Sequence, residues 1–192
     1  MAENKTMILA IGGAGGKVLD LMRRETSHNR LKETRYAFAK CLYNEDDLNN
    51  HLTDNSQQIL LDYDLDEFPE DVFEGIEKLV VVAGLGGRTG TKYPELAVIS
   101  ARQHGVKEIA VIATLPFNFE GEKRRERSVS AAKRIQSIHG VRLFCLDNEE
   151  LSKRYGHDNI INLIVDANKE IMKVLENAIE NFYTIPVYEL LQ

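Results

Sequence analysis

Cysteine is scarce in this chain, and no stretch of it stays apolar for long. Its two cysteines, Cys41 and Cys145, lie far apart with no Cys or His at metal-ligand spacing, which argues against a zinc site or a disulfide framework. Both sit in apolar runs, the setting of buried, reduced thiols in a cytoplasmic protein. No run approaches the roughly 18 apolar residues of a membrane span. The start, MAENKTMILA, lacks the charged head, apolar stretch and cleavage site of a secretory signal, so a soluble cytoplasmic protein is expected. An excess of basic charge is lacking too. With 24 Lys and Arg against 30 Asp and Glu, the net charge of −6 argues against a nucleic-acid partner held by neutralised phosphates. Five scattered histidines and no readable Ser-His-Asp or Cys-His arrangement leave no catalytic residue and no metal ligand to assign.

What the chain does have is alternation. Its 192 residues, 43% of them hydrophobic, suffice for one full-sized core. Short apolar runs read as strands at MILAI from Met7, YAFAKCLY from Tyr36, LVVVAG from Leu79, IAVIATLP from Ile109 and VRLFCL from Val141. Between them, Gly16 to Arg24, Tyr93 to His104 and Glu122 to His139 carry apolar residues at helical spacing. A last helix is expected from about Asn159 to Phe182, with a broad apolar face that needs a cover. Strands alternating with helices imply a three-layer, Rossmann-like α/β fold with a mainly parallel sheet. Ligands of such sheets gather at the carboxyl ends of the strands, so the turns there matter most.

Two of those turns are rich in glycine. The first, Gly12-Gly13-Ala14-Gly15-Gly16-Lys17, fails the GxGxxG pattern because Val18 stands at its third glycine. It also fails the Walker pattern, which Ile11 and Val18 break. The physical role survives: bare backbone approaches an anion closely, and the helix that follows adds its positive end. The second cluster, Gly84-Leu85-Gly86-Gly87-Arg88-Thr89-Gly90-Thr91-Lys92, also lies between a strand and a helix, with hydroxyls at Thr89 and Thr91. Two such turns on one sheet edge are placed to hold the phosphates of one nucleotide.

AGLGGRTGTK, starting at Ala83, resembles the AGxGGGTGTG loop of the FtsZ/tubulin GTPases, and PFNFEGEKR, Pro116 to Arg124, resembles their PFxFEGxxR segment. LDNEEL around Asn148 resembles the PNDKL segment, and Asn44 in YNEDD stands where the family has its NTDA loop. The resemblance spans Met7 to about Ala178. It implies GTP or GDP as ligand, with a magnesium ion where a triphosphate binds, and a place in cell division or the cytoskeleton. It assigns phosphate contacts to Gly13, Ala14, Gly15, Gly16, Gly87, Arg88, Thr89, Gly90 and Thr91. Sugar and base contacts fall to Lys17, Asn44, Glu120, Arg124, Asn148 and Asn168.

The departures from the family matter as well. Lys17 replaces an Asn, Ile164 an aromatic residue, and Arg88 and Lys92 two glycines. The GAGxxPxxG loop is missing. In its place stands the acidic QQILLDYDLDEFPEDVFEGIEK, whose Asp62, Asp64, Asp66, Glu67, Glu70 and Asp71 read as a solvated loop. The expectation is a nucleotide-binding domain over 1–182 and a short tail over 183–192. The family's second domain and its catalytic acidic loop are absent, so hydrolysis should be weak or nil without a partner or self-assembly. One alternative is an interaction module with a degenerate pocket that docks partners on its last helix. A dehydrogenase-like enzyme is another, weakened by the failed GxGxxG.

Overall fold

The computed structural model of the chain describes residues 5–25, 34–41, 57–156 and 160–180. β1 (Thr6–Ile11), β2 (Thr34–Cys41), β3 (Gln57–Leu61), β4 (Lys78–Gly84), β5 (Glu108–Leu115) and β6 (Val141–Asp147) form one parallel sheet in the order β3-β2-β1-β4-β5-β6. β1, β4 and β5 are near-continuous apolar runs because helices cover both of their faces. The two-residue period of a strand divides them. Met7, Leu9, Ile11, Val81 and Ala83 join the core under α2 (Arg88–Gln103) and α3 (Glu122–Ser137). Ile8, Ala10, Val80 and Val82 join the core under α1 (Gly12–Glu25) and α5 (Ile160–Glu180). This is the three-layer α/β fold that the alternation of runs predicts.

Strand order reverses between β1 and β4. From β1 the chain works outward through β2 to β3, then returns to β4 and proceeds the other way. The two strands flank the switch point of the sheet, where α/β folds leave a crevice. They end level, with Ile11 opposite Ala83. Helix α1 leaves β1 toward one face and α2 leaves β4 toward the other, so their amino termini meet at this crevice.

Several elements differ from the sequence expectation. The sequence reading places β3 in an acidic loop, yet it pairs in parallel with β2, Ile59 opposite Ala39. It is the edge strand, and three of its five residues, Gln57, Gln58 and Leu60, are exposed, which hides the apolar signal. The stretch after it is acidic but not merely solvated: Phe68, Val72, Phe73 and Ile76 are buried beside α2. α4 (Asn148–Tyr155) was missed although its ends are well marked. The Asp147 carboxylate accepts from Glu149 N at 2.9 Å, and Gly156 closes the helix in the left-handed region at φ 60°.

The apolar face of α5 finds its cover within the domain: Leu163, Ala167, Ile171, Val174, Leu175 and Ala178 are buried, the last four against the sheet and α1. Ile164, 39% exposed, stays outside. Cys41 and Cys145 are buried free thiols, and burial pushes the Cys145 thiol up to about 12, as expected of inert core cysteines. Among the described residues, no helix is long and apolar enough to cross a membrane.

Candidate functional site

The glycines of the first cluster do not form a loop but sit in the first turn and a half of α1. In the second, Gly84 ends β4, Gly86 and Gly87 make a short turn and Gly90 lies in the first turn of α2. α1 starts at Gly12 rather than Gly16, and α2 at Arg88 rather than Tyr93. Gly12, at φ 71°, makes the sharp exit from β1 that lets a helix begin without a connecting loop. Both helices therefore aim their unpaired N–H groups at the crevice from its rim. Neither carries an acidic residue in its first turn, so their positive ends are left uncompensated by their own side chains. α4, which brings only its first residue, Asn148, to the cleft, has Glu149 and Glu150 there.

Close packing explains some of the glycines and not others. A Cβ on Gly15 would stand 2.4 Å from the Val82 carbonyl oxygen, and one on Gly90 would stand 2.2 Å from that of Gly84. These two let α1 and α2 lie directly on the sheet. Gly16 is held by the Phe38 ring, 2.9 Å from its missing Cβ. Gly13 and Gly87, in contrast, have nothing within 4 Å of theirs. They face open space.

That space is a cleft of about 390 Å³, within the usual size of small-molecule sites. Of the residues expected from sequence, it brings together Gly13, Ala14, Gly87, Arg88, Thr89, Gly90, Glu120, Arg124 and Asn148. Gly15, Gly16, Lys17, Thr91 and Asn168 do not line it. Lys17 is exposed on α1 and Asn168 half-buried on α5. The Thr91 hydroxyl accepts from Gly86 N at 2.8 Å, so it braces the turn from within. Asn44 lies outside the described residues. Sequence reasoning missed Gly12, Gly84, Leu85, Thr114 and Pro116, which also line the cleft. Strand-end position was the available signal: Gly84 and Thr114 pair across β4 and β5 at the sheet's carboxyl edge.

The far wall is built by PFNFEGEKR. A short 3₁₀ turn, Asn118–Glu120, folds Glu120 back so that its Oε1 accepts from Phe117 N at 2.9 Å, while Oε2 pairs with Arg124 Nη1 at 3.2 Å. Arg125 fixes this wall to the next strand: it donates to Pro116 O at 2.8 Å and grips the Asp147 carboxylate with both terminal nitrogens. The Asp147 carboxylate holds the Arg125 guanidinium above its usual pKa, against the pull of burial. Glu149 adds a strut by accepting from Asn118 N at 3.1 Å.

Two polar atoms on this wall are buried without a protein partner, Arg124 Nε and Asn148 Oδ1. Buried polar groups are nearly always satisfied, so a donor and an acceptor left over on two residues that line one cleft leave polar capacity beside it. Among the described residues, no cluster of His, Cys, Asp and Glu could hold a metal ion by itself. A larger groove of about 750 Å³ runs along α3, but it lies away from both glycine-rich helix starts and is lined by Glu122, Arg125, Val129 and their neighbours.

Comparison with known proteins gives a consistent picture. No protein-family model matches the chain. The cell division protein FtsZ of Haloferax mediterranei is 30% identical over 191 residues, covering 93% of this chain and 50% of that protein. Among solved structures, the empty FtsZ dimer of M. jannaschii superposes with a TM-score of 0.75 at 17% identity, over 92% of this chain and 54% of that one. The GDP-form protofilaments of TubZ from Bacillus thuringiensis serovar israelensis give 0.64 at 14% identity, over 89% and 54%. The chain thus spans about half the length of these proteins.

Proposed function

The chain belongs to the FtsZ/tubulin-like family, and on that premise we propose that it binds a guanine nucleotide, GTP or GDP, in the cleft between the starts of α1 and α2. The observation that carries this reading is the 390 Å³ cleft itself, whose lining joins the open backbone at Gly13 and Gly87 to Arg124 and Asn148, two residues that each keep a buried polar atom without a protein partner. The phosphates would lie against the two helix starts, whose N–H groups and uncompensated dipoles suit an anion. Glu120 would accept from sugar hydroxyls, while Arg124 and Asn148 would meet the sugar and base. A magnesium ion would enter with a triphosphate, held mainly by phosphate oxygens and water.

Glu120 is the one carboxylate lining the cleft among the described residues, and its bonds to Phe117 N and Arg124 fix it on the far wall, where the sugar is expected. Activating a water needs an available base within hydrogen-bond reach. We therefore propose that this chain alone turns nucleotide over slowly or not at all, and that it acts by assembling with copies of itself or with a partner. The position of Arg88 favours a working cleft over a degenerate one: its guanidinium lies over the Tyr63 ring, 4.4 Å from the centroid.

Titrating the chain with fluorescent GDP, GTP and ATP tests the reading. Saturable guanine-nucleotide binding is expected, weakened about tenfold by Arg124→Ala through loss of one charge-assisted contact. If no nucleotide shows saturable binding, the reading is rejected.

A further inference from the structure

The segment that follows β3 is tied to the start of α2. Lys92 donates to Tyr63 O at 2.5 Å and pairs with Asp66 at 2.9 Å, while the Tyr93 hydroxyl donates to Asp62 O at 2.6 Å. These bonds fix the backbone on both sides of Tyr63 and set its ring beneath two cations. Lys92 Nζ stands 4.7 Å from the ring centroid, and the guanidinium carbon of Arg88 stands 4.4 Å from it. Arg88 is therefore shared between two environments: it lines the cleft, whereas Tyr63 does not.

The sheet order shows which end of a ligand Arg88 would meet. Glu120, Arg124 and Asn148 come from the segments that follow β5 and β6, on one side of the switch point. Tyr63 follows β3, at the opposite edge of the sheet. An elongated ligand whose sugar is held on the β5–β6 side would direct its other end toward the side where Arg88 leans.

We propose that Arg88 is the residue by which the cleft discriminates the number of phosphates on its nucleotide, leaving the Tyr63 ring for the outermost phosphate of a triphosphate. This rests on the nucleotide reading above. A half-buried tyrosine ring is a weaker partner for a guanidinium than a phosphate, which offers two parallel charge-assisted hydrogen bonds. The side chain moves because its affinities for the two partners differ. A diphosphate, one phosphate shorter, leaves Arg88 over the ring.

The test compares a non-hydrolysable guanosine triphosphate analogue with GDP by isothermal titration of the full chain and two variants. Arg88→Ala should weaken the triphosphate at least tenfold and GDP less than threefold. Tyr63→Leu keeps bulk but removes the competing π-face, so it should tighten the triphosphate by about threefold, the worth of a weak cation–π contact. Equal losses for the two nucleotides in Arg88→Ala, or weaker triphosphate binding in Tyr63→Leu, overturn this proposal alone. If the unaltered chain binds neither nucleotide, both this proposal and the reading beneath it fall.

Discussion

Gly15 lies so close against β4 that a Cβ on it would stand 2.4 Å from the Val82 carbonyl oxygen. Backbone, unlike the end of a long side chain, cannot step aside. Gly15→Ala should push α1 off the sheet and destabilise the fold by about 2 kcal/mol or more, as overpacking a tight core does. Gly90→Ala should do the same, since its Cβ would meet the Gly84 carbonyl oxygen at 2.2 Å. Urea denaturation followed by far-UV circular dichroism measures both; an unchanged midpoint in either would contradict the packing role.

Gly13→Ala should behave in the opposite way, although the two glycines are only two residues apart. No atom lies within 4 Å of the missing Cβ, and alanine is the better helix former, so stability should rise by up to about 1 kcal/mol. The added methyl would occupy the cleft and keep phosphate from the backbone. A higher melting temperature together with weaker nucleotide binding is the expected pair of results. Unchanged affinity would remove Gly13 from the site.

This contrast marks what the sequence could and could not reveal. The clusters GGAGG and GLGGRTG announce two tight strand-to-helix transitions, and that was enough to place the cleft at the sheet edge. Glycine spacing alone could not separate Gly15 and Gly90, which serve packing, from Gly13 and Gly87, which face the opening. That distinction depends on how far each helix leans on the sheet. Nor could spacing show that Thr91, expected as a phosphate donor, uses its hydroxyl oxygen to accept from Gly86 N and so braces the turn. β3 stayed hidden because half-exposed edge strands lack a continuous apolar run, while β1, β4 and β5, covered on both faces, were plain. Lys17 and Asn168 rest on resemblance of position alone, and neither lines the cleft.

The junction of Arg125 with Asp147 and Pro116 O should govern the site from behind. Arg125 does not need to touch a ligand to matter, since it fixes the turn bearing Glu120 to the strand end bearing Asn148. Arg125→Met leaves the Asp147 carboxylate, 11% exposed, without its cation, and should destabilise the chain by about 2–3 kcal/mol. Asp147→Asn keeps a good helix cap and should lose less. Both variants should also bind nucleotide more weakly. Because both substitutions keep the cap and remove the ion pair, an unchanged stability in both would show that the cap, not the ion pair, sustains this corner.

A second tether joins α4 to α5 and gives stability a dependence on pH. The Tyr155 hydroxyl donates to Glu170, and Lys173 donates to the same carboxylate oxygen at 2.8 Å. Lys173 and Tyr155 together hold the Glu170 carboxyl below its ordinary value of 4.5. A carboxylate whose pKa is lowered by folding stabilises the fold fully above its unfolded value, and this contribution is lost as pH falls through the folded one. Glu170 likewise holds the Tyr155 hydroxyl above its ordinary 10.0, so the tyrosine's share persists below that pH and fades above it. Glu170→Gln keeps an acceptor for Tyr155 but removes the charge. The variant should therefore be less stable than the parent at pH 7, and the gap should close as pH is lowered below about 4.5. Denaturation midpoints of the two proteins at pH 7 and at successive steps below pH 5 measure it. A gap of constant size across that range would mean that the charge of Glu170 contributes nothing to holding α4 against α5.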